Sequence, residues 1–209
     1  MATIPTKQRP YLHDSTRYGR CSAAELYPAR PIGNTLRVTP RNFAPASARD
    51  DIVYGADRPG YDREQIEDWI AFMLERGVRR VVCLLSDERV VRYDDLLDAY
   101  RRHFSAVTHA AIDDHGLPSE EVLERALAAL AEAEAAGERI VAHCAAGMGR
   151  TGLISAAWLC RRYGLAIDDA IAEVCESALH VGANRDPLEA GPGARDVLRA
   201  ARRGANERA

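Results

Sequence analysis

No stretch of the 209 residues stays apolar long enough to cross a bilayer, so insertion into a membrane is not expected. Met1 to Tyr11 holds charges and prolines but no apolar core, and no secretory signal is read there. A basic excess is missing as well. The 28 Lys and Arg stand against 31 Asp and Glu, a net charge of −3, whereas bulk nucleic-acid binding wants a strongly basic face. The cysteines number only five, at positions 21, 83, 144, 160 and 175. Their scattered spacing builds neither a zinc site nor a disulfide framework. An odd count without an export signal fits a reducing cytoplasm, and it leaves room for one thiol kept for reactivity. Internal repeats and low-complexity tracts are absent.

What remains is an ordinary globular composition, 47% hydrophobic and 28% charged, in a length that suits one domain. Residues 1–33, with Pro5, Pro10, Pro28 and Pro31 and no steady period, read as a partly ordered arm. From 34 to 209 strands and helices alternate. Strands are expected at 34–38, 51–54, 80–85, 106–112 and 139–143. Ile66, Trp69, Ile70 and Met73 fall at helical spacing in 64–76, which Gly77 ends. Further helices are expected at 93–103, 119–136, 151–163, 167–177 and 194–203. Ser119 serves as an N-cap, with Glu120 and Glu121 at the positive end of the helix. Val81 to Leu85 is a continuous apolar run, as in a buried central strand. The alternation implies an α/β fold with a largely parallel central sheet flanked by helices.

The chemistry is concentrated where an apolar strand runs into Cys144. Ala145, Ala146, Gly147, Met148 and Gly149 follow, and a helix opens near Arg150. Such a turn aims backbone N–H groups at one point with a helix N-terminus behind them, an anion site. Gly147 and Gly149 permit the backbone angles of a tight cradle. Inside that positive cup the thiolate of Cys144, the nucleophilic form, is favoured at neutral pH. Arg150 offers a planar fork of donors for two phosphate oxygens. Thr151 brings a hydroxyl toward the sulfur. His143, at a buried strand end, reads as an orienting hydrogen-bonder rather than a base.

Expelling an alkoxide or phenoxide calls for a general acid on another loop. The stretch Ala111 to Pro118 follows one strand and precedes a helix, so it should reach the same sheet edge. Asp114 and Asp113 are both candidates there, with His115 as a loop residue tuning substrate approach.

The run His143-Cys144-Ala145-Ala146-Gly147-Met148-Gly149-Arg150-Thr151 resembles the His-Cys-x-x-Gly-x-x-Arg-[Ser/Thr] signature of the protein tyrosine phosphatase superfamily. Asp114 and Pro118 match the Asp-x-x-x-Pro spacing of its dual-specificity members, which favours Asp114 over Asp113. The resemblance spans about residues 50–200. It implies a dual-specificity-like fold and attack of Cys144 on phosphorus, with a cysteinyl-phosphate intermediate. Arg150 and the loop amides would hold the oxygens, with no metal or cofactor required.

The expected partner is a phosphorylated protein or peptide, on Tyr or on Ser/Thr; the oligomeric state is left open. The run Tyr54 to Gly60 resembles the early strand and turn of small bacterial and archaeal members, which puts the Arg58-Pro59 turn at the border of the site, and Arg89 should reach the same sheet edge. Related enzymes supply an Arg near the position of Arg185, so Arg58, Arg89 and Arg185 are possible substrate contacts. Where many members carry a water-positioning Gln before the last helix, this chain has Gly191-Pro192-Gly193-Ala194-Arg195. A phosphoinositide substrate is the alternative within the family. Lipid-directed members place Lys in the loop spots held here by Ala145, Ala146 and Met148. A binding module without turnover is the alternative outside it.

Overall fold

The computed structural model describes residues 39–206, with side chains to 204. The arm at 1–33 and the strand expected at 34–38 lie outside the described residues.

Five strands form one sheet. β1 is Ala44–Ser47, β2 Asp50–Asp57, β3 Val78–Cys83, β4 Ala106–His109 and β5 Arg139–Cys144, and they lie in the order β1-β2-β5-β3-β4. The pairs β2–β5, β5–β3 and β3–β4 are parallel. Only β1, hairpinned onto β2, runs antiparallel. The expectation of a largely parallel sheet is met, and β1 is the strand that the periodicity did not show. Seven α-helices are described: α1 Arg63–Glu75, α2 Asp87–Val90, α3 Leu96–His103, α4 Glu120–Ala136, α5 Gly149–Tyr163, α6 Ile167–His180 and α7 Ala194–Asn206. A 3-10 turn at Pro187–Ala190 precedes α7.

The helix ends follow local chemistry. The Asp62 carboxylate accepts from the Gln65 N–H at the start of α1, and the Ser119 hydroxyl accepts from the Val122 N–H at the start of α4. α4 stops at Gly137, which is left-handed at φ +64°.

Strand alternation sorts β5 between two layers. Ile140, Ala142 and Cys144 join the main core with α4, α5, α6 and α7. His143 faces the other layer, where its ring meets Trp69 of α1 and Tyr100 of α3 edge-to-face. α5 is buried from Arg150 through Cys160, the mark of a helix enclosed on all sides. On its far turn the Trp158 indole donates to the buried Asp50 carboxylate at 2.6 Å.

One consequence of parallel pairing positions everything that follows. The carboxyl ends of β2, β5, β3 and β4 lie on a single edge, where ligands gather in open α/β sheets. Asp57, Cys144, the segment after Cys83 and the segment after His109 therefore converge.

Candidate active site

Cys144 ends β5 beside Asp57, its register partner on β2, and is 3% exposed. The loop after it closes tightly over β2. Gly147 is left-handed at φ +71°, and a Cβ there would lie 2.5 Å from the Ala56 carbonyl carbon. Only glycine meets both demands.

The loop's carbonyls are held from outside. The Asn42 side-chain amide donates to the Ala146 carbonyl at 2.8 Å, while its oxygen accepts from the Asn184 N–H at 2.8 Å. Arg185 Nε donates to the Gly147 carbonyl at 3.2 Å. Each peptide group whose oxygen is tied outward turns its N–H the opposite way, so these two braces favour an inward-facing ring of donors. Behind the ring, α5 presents its first turn.

Thr151 is fully buried, and its hydroxyl oxygen has no hydrogen-bond partner among the described residues. A buried hydroxyl left unpaired costs free energy.

His143 is fully buried, its Nε2 3.1 Å from the Tyr100 hydroxyl. Burial pushes its ring down to about 3, so it is neutral at physiological pH. It lies on the opposite sheet face from Cys144, which fits an orienting role.

The 110–119 segment folds over the cup. The Gly116 N–H donates to the Asp113 carbonyl at 2.9 Å, and His115 takes a left-handed φ of +60°. This turn leaves Asp113 and His115 exposed and brings Asp114 inward. Asp114 Oδ1 accepts from Arg150 Nη2 at 2.6 Å, and Oδ2 accepts from Arg89 Nε at 2.7 Å. Arg150, 7% exposed, also donates Nη1 to the Ile112 carbonyl at 2.7 Å. Burial acts to raise the Asp114 carboxyl, but the Arg89 and Arg150 guanidinium groups outweigh it and hold it below the ordinary aspartate range. Asp114 is thus clamped between two arginines, and the Arg150 fork points at the acid loop.

Of the three outlying arginines, Arg89 lies at the site through Asp114. Arg58 stacks over the Tyr61 ring at 4.0 Å and donates to the Tyr93 hydroxyl and the Pro59 carbonyl, bordering a groove with Asp57, Trp69 and Ala145. Arg185 corrects the expectation of a substrate contact. It is 1% exposed and sits behind the loop, out of a substrate's reach.

Two other residues were not singled out from the sequence. Asn42 was one, since asparagine is common in turns. Asp57 was the other: burial raises its carboxyl against the opposing pull of Arg41, and its Oδ1 is unpartnered.

Cys83, on the strand beside His143, has its thiol pushed up to about 12 by burial. No cluster of three or more His, Cys, Asp or Glu side chains suited to a metal ion occurs among the described residues. Nor is any described helix long and apolar enough to cross a membrane.

A family model described as "Polymorphic toxin system, DSP-PTPase phosphatase" matches residues 54–164. That span runs from β2 through the acid loop and the cysteine loop to the end of α5. Among solved structures, the chain is similar to Tk-PTP in its active form, at 26% identity and a TM-score of 0.58, covering 74% of this chain and 93% of that one. It also shares its fold with kinase associated phosphatase (17% identity, TM-score 0.62, 80% and 97% covered). PTPMT1 in complex with PI(5)P gives 16% identity and a TM-score of 0.60, with 79% and 97% covered.

Proposed function

We propose, for a chain that belongs to the DSP-PTPase phosphatase family of polymorphic toxin systems, that it hydrolyses phosphotyrosine, and phosphoserine or phosphothreonine, in proteins through a cysteinyl-phosphate intermediate. The observation that carries this reading is the meeting of three elements at one sheet edge. They are a buried cysteine in a braced loop, an arginine fork on the first turn of α5, and Asp114 at 2.6 Å from that fork.

Phosphate entering the cup competes with Asp114 for Arg150. As the fork turns to the phosphate oxygens, Asp114 loses one of the two cations that keep it ionised and gains a dianion as neighbour. Both changes raise its affinity for a proton, so occupancy itself prepares the acid. Cys144 Sγ attacks phosphorus. The bond to the leaving oxygen breaks, Asp114 delivers its proton to that oxygen, and the loop amides with Arg150 carry the charge of the transferring group. Water, deprotonated by Asp114, then attacks the phosphorus of the thiophosphate and releases inorganic phosphate. The unpaired Thr151 hydroxyl is suited to donate to the sulfur as it leaves.

Ala145, Ala146 and Met148 add no charge to the loop, which fits a single phosphate better than a polyphosphorylated headgroup. The test is a panel with chelator present: para-nitrophenyl phosphate, phosphotyrosine and phosphoserine peptides, and phosphoinositides. Phosphopeptide turnover that disappears in Cys144→Ser supports the reading. Turnover confined to lipids replaces the substrate class, and activity unchanged in Cys144→Ser rejects the mechanism.

A further inference from the structure

A carboxylate taken out of water needs a donor for each oxygen. Asp57, at the end of β2, is 6% exposed and only half supplied. Its Oδ2 accepts from Arg41 Nε at 3.0 Å, while its Oδ1 has no partner among the described residues. The backbone of the residue is held on both sides. Its N–H donates to the Arg41 carbonyl at 3.0 Å, and its carbonyl accepts from the Trp69 indole at 3.0 Å. Asp57 therefore stays at the sheet edge, and a donor for the free oxygen has to come from outside.

The surroundings say which kind of donor. Pro40, Arg41, Asp57, Arg58, Trp69 and Ala145 line a groove of about 270 Å³. Ala145 is the first residue after Cys144, so a molecule with its phosphate in the cup has its adjoining atoms beside this groove. Two guanidinium groups border it with donors to spare. Among the described residues Arg41 commits only Nε, to Asp57, and its side chain is 81% exposed. Arg58 commits only Nη1, to the Pro59 carbonyl and the Tyr93 hydroxyl. The two cations oppose a basic group, and the desolvated carboxylate opposes a second anion. A neutral ligand carrying both an N–H and carbonyl oxygens suits all three side chains, and a peptide backbone is such a ligand. Pro40 and Trp69 add apolar contact.

We propose that this groove is a subsite for the main chain of the substrate protein beside its phosphorylated residue, with Asp57 Oδ1 accepting one N–H and the spare donors of Arg41 and Arg58 taking carbonyls. The inference rests on the phosphoprotein reading above and narrows it. Recognition falls on the extended backbone passing the cup rather than on neighbouring side chains.

Binding rather than turnover tests it. The Cys144→Ser protein is titrated by fluorescence anisotropy with a labelled phosphotyrosine peptide. Further peptides carry one flanking amide at a time either N-methylated or replaced by an ester. Both changes delete an N–H, and only the first adds bulk. One position is expected to matter, with its ester and its N-methyl form each binding about ten- to a hundredfold more weakly. The series is repeated with Asp57→Asn added. Arg41 Nε requires an oxygen opposite it, so the Asn amide turns its NH2 toward the other side, where it cannot accept an N–H. There the same ester is expected to bind within about twofold of the parent amide. Esters tolerated at every position overturn the proposal, and so does an ester penalty that persists undiminished in Asp57→Asn.

If Asp57→Asn does not fold, the indole N–H resonances of Trp69 and Trp158, the two tryptophans of the chain, are followed in Cys144→Ser. The peptide is expected to shift Trp69 further than phenyl phosphate does, with Trp158 unmoved. Equal shifts from the two ligands overturn the subsite. Ester-sensitive binding beside a silent phosphatase panel keeps the subsite and rejects the activity. Phosphopeptide turnover with every ester tolerated does the reverse, and a phosphopeptide that does not bind removes both.

Discussion

The Asp114 carboxylate and the Arg150 guanidinium meet at 2.6 Å above the cysteine loop, each engaging the group that the proposed mechanism asks the other to use. Opening that contact is part of every turnover in the mechanism proposed here. An Asp114→Asn variant keeps the shape and loses the proton. We expect kcat to fall about 10²- to 10⁴-fold on a phosphoserine peptide, whose leaving group needs protonation. The loss should be much smaller on an activated aryl phosphate. A normal rate on phosphoserine would remove Asp114 from the role, and Asp113→Asn would then be the variant to measure.

The same ion pairs make stability depend on pH. Because the folded protein holds Asp114 below its ordinary range, its contribution is complete above about pH 4, the unfolded value. It is lost as pH falls through the depressed folded value. Thermal midpoints of wild type and Asp114→Asn should therefore differ at neutral pH and draw together in acid. A constant offset down to about pH 3 would contradict this.

Arg89 holds the outer oxygen of Asp114 at 2.7 Å, and its other hydrogen bond goes to the Tyr61 hydroxyl. Replacing it with Met removes one of the groups that keep Asp114 ionised, so the acid should retain its proton to higher pH. The alkaline limb of the kcat profile is expected to move upward while Cys144 alkylation stays unchanged. An alkaline limb that moves downward would show that Arg89 acts otherwise.

The Tyr100 hydroxyl and His143 Nε2 lie 3.1 Å apart in a buried layer below the sheet. Tyr100→Phe leaves Nε2 of His143 without its partner, which costs about 1–3 kcal/mol. Chemical denaturation should read that loss, with kcat changing far less than stability.

Gly147→Ala meets two obstacles, the left-handed φ of +71° and the Ala56 backbone at 2.5 Å. The loop cannot keep its shape around a methyl group. We expect about 2–4 kcal/mol of destabilisation and roughly a hundredfold loss of kcat/KM on para-nitrophenyl phosphate. Wild-type turnover in this variant would show that the loop opens more readily than its packing implies.

Much of this site was legible because its chemistry is local. Cys144, Gly147 and Arg150 lie within seven positions, and strand, turn and helix signals bracket them. Asp114 was reachable from its place between a strand and a capped helix. The braces were not, since nothing near Asn42 or Arg185 in sequence says which carbonyl each will reach. The clamp on Asp114 was hidden for the same reason: Arg89 comes from a single turn of helix, α2, too short to show a period. β1 escaped notice because Ala44-Pro45-Ala46-Ser47 has neither β-branched residues nor alternation. Strand ends also shifted. The apolar runs continue to Leu85 and Ile112, but the strands end at Cys83 and His109, with one further cross-strand bond each from the Leu84 and Ala110 N–H groups.

The braces carry a consequence for how the protein comes to work. The cysteine loop spans a few neighbouring residues, yet the bond that shapes Ala146 joins positions 104 apart, and Arg185 reaches Asn42 across 143. Chain closure over such distances is slow and entropically costly. The loop can be synthesised and even roughly formed while still unable to hold phosphate. Competence arrives only when the segment before β1 and the segment after α6 have both docked on it. Enzymatic activity is thus a reporter of completed folding, and a chain cut short before Arg185 would be silent although it keeps every residue of the signature.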